Sequence, residues 1–325
     1  MPKIIPNRIY VNTLHKDFLS RMDRTTPQAS HFDDLPWSGI NLQDPDSAIR
    51  LFERAAAANI ASSSRQGSCM HLGGKGRLLM TGDLHDHTNN LLKILKLSEI
   101  HRDPSNHVVL HEMIHGPHRI NGCDLSVRTL GRVAAVKCQF PGQVHLLQSN
   151  HELAQLMGQS ISKDGVSVIG AFDDGIDFIY GDRSEDVRRA VKAFIRSYPL
   201  AIQCENRLFC SHSLPAPRRL AGFDPEVIHR EMTDADLSSG GSAHMMVWGR
   251  NHDDDLAAHL GQAWDTDLFV TGHQPAEMGY ATEGTRILIL ASDHEHGVAL
   301  PIDLSHRYTL DDLKQQLVPL ASITA

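Results

Sequence analysis

A chain of 325 residues, 41% hydrophobic and 22% charged, has the composition of an ordinary soluble globular protein and is compatible with one large α/β domain carrying insertions. Its net charge of −8, with no block dense in lysine or arginine, argues against a nucleic-acid backbone as the main partner. No apolar stretch approaches the roughly 18 residues that span a bilayer, Met1–Asn12 lacks the apolar region of a signal peptide, and five scattered cysteines without a CxxC pair point to reduced thiols in a cytoplasmic setting.

Residues 1–35, mixed and polar, read as an irregular arm ahead of a single domain over 36–325. Ser47–Ala58 has apolar positions at helical spacing and predicts a helix capped by Asp46. A glycine-rich turn over Gly67–Gly76 leads into the apolar run Leu78-Leu79-Met80, the first core strand, which ends at Gly82-Asp83-Leu84-His85. Leu91, Leu92, Ile94, Leu95, Leu97 and Ile100 form a helical stripe. The run Val108-Val109-Leu110 then ends at His111-Glu112 and completes a βαβ unit. Leu125–Val136 predicts a helix, and Val144–Leu147 a strand that ends at Ser149-Asn150-His151-Glu152.

Residues 153–183, rich in glycine and aspartate, read as an insertion, followed by a helix over Glu185–Ser197 with a solvated basic face. Leu208-Phe209-Cys210 runs into Ser211-His212. A second insertion over 215–247 is expected to cover the site. Leu268-Phe269-Val270 runs into Thr271-Gly272-His273, and Arg286–Ala291 reads as the last core strand, ending at Ser292-Asp293-His294. Residues 308–320 look like a terminal helix. The charged tracts His252–Asp255 and Asp293–His296 read as solvated loops, with His294 near enough to the ligand edge to touch substrate.

Five apolar runs thus each end in a polar residue able to bind a metal, in a chain with 21 histidines. Runs of this length, bounded by turn signals, read as buried strands. Groups at strand ends sit on loops held by a rigid sheet, where α/β folds build their sites. Carboxylates, imidazoles and one amide gathered in this way form a cage suited to two metal ions. An oxygen and nitrogen donor set without thiolate fits manganese, iron or zinc better than a structural zinc site or calcium alone.

These motifs resemble those of the calcineurin-like metallophosphoesterases, in particular the phosphoprotein-phosphatase branch, whose signature reads GDxHG, GDxxDRG, GNHE, HGG and a late AHQ or GHx. Here they stand as Gly82-Asp83-Leu84-His85-Asp86, His111-Glu112-Met113-Ile114-His115-Gly116, Ser149-Asn150-His151-Glu152, Ser211-His212 and Gly272-His273-Gln274, over roughly residues 75 to 300. The resemblance implies an α/β/β/α sandwich of two mixed β-sheets flanked by helices. It implies Asp83 and His85 on one metal, Asn150, His212 and His273 on the other, and Glu112 where a bridging aspartate stands. It also implies His151 as the acid for the leaving alkoxide, with Glu152 and His115 beside it in the catalytic motifs.

The sequence departs from the family at four places. Glu112 is one methylene longer than aspartate. His115 stands where an aspartate orients the catalytic histidine. Gly116-Pro117 and Gln148 stand where the family carries phosphate-clamping arginines. Arg250 and Arg119 are the candidate replacements as substrate-binding groups. The expected activity is hydrolysis of phosphate monoesters, phosphoprotein or small ester, with two divalent ions, manganese foremost, activating the attacking water. A nucleotide phosphodiesterase or dinucleoside polyphosphate hydrolase, and a catalytically impaired metal-binding scaffold, are the competing readings.

Overall fold

The structure, a computed structural model, describes residues 35–324 apart from 160, 164 and 165. The expected arm lies, but for its last residue, outside the described residues. The strands are β1 (Arg65–Gln66), β2 (Cys69–Leu72), β3 (Arg77–Thr81), β4 (Asn106–Leu110), β5 (Arg119–Ile120), β6 (Cys123–Asp124), β7 (Val144–Leu146), β8 (Ser162–Lys163), β9 (Val166–Ser167), β10 (Ala201–Cys204), β11 (Leu208–Ser211), β12 (Leu268–Thr271), β13 (Tyr280–Glu283), β14 (Ile287–Leu290), β15 (Val298–Asp303) and β16 (Val318–Pro319). They form a seven-stranded sheet in the order β1-β2-β10-β11-β12-β14-β13, a five-stranded sheet in the order β16-β15-β3-β4-β7, and two small hairpins. Both large sheets are mixed. β3, β4 and β7 run parallel in one, and β11, β12 and β14 run parallel in the other.

Side-chain alternation along the strands explains how the layers stack. Leu208, Cys210, Leu268, Val270, Leu288 and Leu290 share one buried cluster with Leu78, Met80, Val109, Leu300 and Ile302 of the smaller sheet. Phe209, Phe269, Ile287 and Ile289, the intervening residues, point the other way, toward Leu256, Leu260 and Trp264. The first cluster is therefore the layer between the sheets, and the second lies between the larger sheet and its helices. Phe209 stacks on Trp264 with ring centroids 4.6 Å apart. Helices Thr88–Ser98 and Val127–Gln139 pack on β3, β4 and β7, covering the smaller sheet. The expected two-sheet sandwich flanked by helices is the observed fold, and each of the five apolar runs that end in a ligand is a strand.

Several boundaries differ from the sequence reading. The first helix spans Pro45–Ile60, and its cap is Asp44, whose carboxylate accepts from the Ser47 amide at 2.9 Å. Pro45 occupies the first helical turn, where a missing N–H costs nothing, so the cap falls before it and not at Asp46. The glycine- and aspartate-rich stretch contains a helix, Val168–Tyr180. Its buried Val168, Ala171, Phe172, Gly175, Ile176 and Tyr180 lie on one face. Gly175 is required because a β-carbon there would sit 1.8 Å from the Asp124 carbonyl oxygen.

Residues 215–247 do not form a separate cover. Val227, Ile228, Leu237, Ala243, Met246 and Val247 belong to the core beside the larger sheet. Arg286–Ala291 is not the last core strand. β15 follows and pairs antiparallel with β3, with Pro301 opposite Leu79. Proline is tolerated there because β16 pairs only with Val298 and Ala299, leaving the far edge at Pro301 open. The terminal helix is confined to Leu310–Gln315.

Replacing Asp44 with alanine is expected to lower the urea midpoint measurably, because it removes the helix cap. Asp46→Ala, which breaks only a surface pair with Arg183, is expected to leave the midpoint near that of the parent. Equal losses would contradict the assigned cap.

Candidate metal centre

The carboxyl-terminal ends of the two parallel strand blocks meet at one edge. The backbone of Asp83, past β3, bridges in parallel to Ala291, past β14. The Ser292 amide donates to Asp83 O at 3.1 Å, and the Gly272 amide past β12 donates to His212 O at 3.0 Å. Gly272 is forced. A β-carbon there would lie 2.6 Å from both Asp83 Oδ1 and the His111 ring.

The loops at this edge are strained. His85, Asp86, Glu112, His115 and His273 all adopt positive φ, between 40° and 67°, a region costly for residues with a β-carbon and concentrated at functional sites. Two sets of bonds hold the first two loops in this shape. The Leu84 and His85 amides donate to Glu112 O at 3.2 and 2.7 Å, and the Asp86 amide donates to Met113 O at 3.1 Å. The buried Glu152 carboxylate accepts from the Met113 and Ile114 amides at 2.6 and 3.3 Å and from the Ser149 hydroxyl. Glu152 thus shapes the turn that presents Glu112. Although His111-Glu112-x-x-His115 has the spacing of a zinc-binding helix, the segment is not helical, and its two imidazoles meet different partners.

Donor atoms converge in three overlapping groups. Asn150 Oδ1 lies 2.7 Å from His212 Nε2 and 2.9 Å from His273 Nδ1, which are 3.2 Å from each other, and Glu112 Oε2 lies 3.7 Å from His212 Nε2. Glu112 Oε1 lies 3.7 Å from His85 Nε2 and 3.5 Å from His151 Nε2. Asp83 Oδ1 lies 3.4 Å from Nδ1 of both His111 and His212 and accepts the His273 amide at 3.0 Å. The last two of these groups each have the compactness of a cation site. All six residues expected as metal ligands are therefore brought together. His111, assigned no role from the sequence, sits among them. It was visible as the first residue past its strand, but the resemblance places glycine there.

Burial dominates the electrostatics. It raises the Asp83 carboxyl to about 8, helped by the like charges of Asp293 and Glu152. It raises Glu112 well above the usual carboxylate range, with Asp83 and Glu152 adding to the effect. Burial lowers His111 and His115 to about 4 and His273 to about 3, with Arg250 adding to the last. Burial also puts His212 well below the ordinary imidazole value, reinforced by His273 and His111. Without a cation the cage favours neutral imidazoles and protonated carboxyls, and a divalent ion would displace those protons. The donor chemistry fits two hard-to-borderline divalent ions.

Around the cage, His115 Nδ1 lies 2.8 Å from His151 Nδ1. Arg250 Nε donates to His273 Nε2 at 3.1 Å, and Trp248 meets the His273 ring edge-on. Arg119 lies in the β5–β6 hairpin and His294 Nε2 contacts Ala276 O at 3.1 Å, so neither is joined to the cage by a hydrogen bond described here. His252, expected in a solvated loop, is buried, with Nδ1 2.6 Å from Glu283 Oε2 and Nε2 3.0 Å from Leu214 O. No described helix is long and apolar enough to cross a membrane.

No protein-family model matches the sequence, and a search of curated proteins finds no match. Among solved structures, the fold is similar to a protein serine/threonine phosphatase from Saccharomyces cerevisiae with similarity to human phosphatase PP5. That likeness has a TM-score of 0.64 at 14% identity and covers 94% of this chain and 99% of that one. It is also similar to the cold-active protein-tyrosine phosphatase of a psychrophilic Shewanella species, with a TM-score of 0.50 at 14% identity, covering 76% of this chain and 81% of that one. The chain shares the fold of these phosphatases.

The raised carboxyls give a pH signature. Asp83 holds its proton to about 8 when folded and only to about 4 when unfolded. The buried imidazoles, lowered in the folded chain, oppose this below about 6.5, where the unfolded chain binds their protons. From about 6.5 to 8 only the raised carboxyls change, so metal-free protein should lose stability there, by up to about 1.4 kcal/mol per pH unit for each proton so held. Saturating manganese, which binds the deprotonated form, should reverse that slope. Thermal melts from about pH 6.5 to 8 with chelator or manganese test this, and identical slopes would contradict it.

Proposed function

We propose that this chain is a hydrolase of phosphoric monoesters that works with two divalent cations, manganese being the first to test. The observation that carries this is the meeting, within one strained edge, of six ligand-type side chains from the ends of five strands, on a fold similar to two phosphatases. Asp83, His85 and Glu112 would hold one ion, and Asn150, His212 and His273 the other. The split of the two Glu112 oxygens, Oε1 toward His85 and Oε2 toward His212, supports a shared ligand. Bound divalent ions supply Lewis acidity to the phosphoryl oxygens and acidify the attacking water.

The protein groups do the rest. His151 would act as the doubly protonated ring, passing its Nε2 proton to the leaving oxygen while its Nδ1–H stays directed at His115. Arg250, beside His273, supplies positive charge for the phosphoryl anion in a chain of net charge −8. Trp248 forms an apolar wall next to it. The two similar structures are named for phosphoserine/threonine and phosphotyrosine chemistry, so the alcohol half of the substrate is open to both alkyl and aryl esters.

Purified chain with manganese is expected to hydrolyse para-nitrophenyl phosphate faster than its bis ester or a dinucleoside polyphosphate. The reverse order would favour the phosphodiesterase reading, and full metal loading with no turnover would favour a binding protein. His151→Asn should lower turnover of alkyl phosphates by about 10²- to 10⁴-fold, with bound metal unchanged. Asn150→Ala should lower bound manganese by elemental analysis, and unchanged content would remove Asn150 from the cage.

A further inference from the structure

Two pairs of buried histidines meet nitrogen to nitrogen: His111 Nδ1 with His212 Nδ1 at 3.0 Å, and His115 Nδ1 with His151 Nδ1 at 2.8 Å. Two imidazole nitrogens this close need one N–H between them. The far side of the outer ring decides which member carries it. His111 Nε2 lies 2.8 Å from the carbonyl oxygen of Thr81, which can only accept. The proton of neutral His111 is therefore on Nε2, its Nδ1 is a lone pair, and His212 must supply the bridging N–H. That leaves His212 Nε2 as a lone pair, 3.2 Å from His273 Nδ1 and 2.7 Å from Asn150 Oδ1, an acceptor that can share this face with it only when a cation lies between them.

The second pair resolves in the same way. His115 Nε2 lies 3.0 Å from Gln155 Oε1. The amide is oriented by Asp173, whose Oδ1 accepts from Gln155 Nε2 at 3.0 Å. His115 therefore has its proton on Nε2, and His151 donates from Nδ1. His111, His115 and Gln155 are 1%, 5% and 3% exposed, so water offers little competition for these contacts.

We propose that His111, and the line His115–Gln155–Asp173, are positioning residues that fix the ring orientation and tautomer of His212 and His151. The roles of His212 in the cage and His151 at the leaving group rest on the function proposed above, and so does the His212 tautomer, which needs a cation at Nε2. Partners behind a metal-binding histidine typically contribute about 10- to 100-fold to affinity. His111 occupies that place, and it does so with an imidazole where the resemblance implies glycine. The second line substitutes neutral groups for the single carboxylate the resemblance implies behind the acid. Its charged end is Asp173, which also meets Arg188 at 3.5 Å.

The test is nitrogen-15 NMR of the full chain with labelled histidine, metal-free and zinc-loaded, the four rings being assigned by single substitution. In the zinc-loaded chain the protonated nitrogen is expected to be Nε2 in His111 and His115 and Nδ1 in His212 and in neutral His151. The opposite tautomer in either pair, or a zinc shift on His111 Nδ1 that makes it a ligand, would overturn the assignment. For function, His111→Ala should weaken zinc by about 10- to 100-fold in calorimetry, and His111→Asn, which keeps an acceptor, should recover part of it. Gln155→Leu should leave zinc affinity unchanged and reduce kcat for an alkyl phosphate more than for an aryl one, whereas Gln155→Glu, which keeps an acceptor, should be milder. Equal loss on both esters, or weaker zinc, would overturn the role of the second line. A chain with the expected tautomers and no turnover on any ester would overturn the hydrolase reading alone.

Discussion

The two sheets are tied together at Asp83, and the rest of the site depends on that tie. Its backbone bridges to Ala291 and accepts the Ser292 amide, while its carboxylate accepts the His273 amide. The Gly82 amide donates to Ser292 Oγ at 2.9 Å, and a β-carbon on Gly82 would lie 2.2 Å from Leu290 O. Strand ends from two separate sheets are thus brought into hydrogen-bond range. Without this closure, β3, β4 and β7 would offer one set of donors and β11 and β12 another, with no common centre.

Closure is expensive. It buries two carboxyls that would be charged in water, places imidazoles of the same basic character next to each other, and twists five residues with β-carbons into positive φ. Elsewhere the fold follows ordinary rules, with alternating apolar strands, capped helices and a well-packed layer between sheets. Five of the ten non-glycine residues with positive φ among the described residues gather at this edge, together with the buried carboxyls, and so mark a site shaped by chemistry and not by packing alone. Glu152 illustrates the compensation. Its buried carboxylate touches no donor of the cage described here, yet it satisfies two backbone amides of the loop that carries Glu112.

Much of the fold was legible in the sequence because apolar runs and ligand residues coincide. Leu78–Met80, Val108–Leu110, Val144–Leu147, Leu208–Cys210 and Leu268–Val270 are strands, and the residues after them converge. What was hidden had physical reasons. Pro301 disguised β15, since nothing in the sequence says that its open edge tolerates a missing N–H. Glycine and aspartate disguised the helix Val168–Tyr180, where Gly175 serves a close approach to Asp124 and not a turn. The burial of His252 depends on Glu283 and Leu214, far away in the chain. The histidine pairs were equally invisible. His111 and His212 are 101 residues apart, and only the folded edge sets their nitrogens 3.0 Å from each other. His111 and His115, where the resemblance implies glycine and aspartate, find their partners only in the folded chain.

Anomalous diffraction from crystals grown with manganese tests the cage most directly. Two peaks about 3.5–4 Å apart, enclosed by Asp83, His85, Glu112, Asn150, His212 and His273 with Glu112 touching both, are expected. Fully loaded crystals with no peak at this edge, or with manganese held only by residues outside this set, would contradict it.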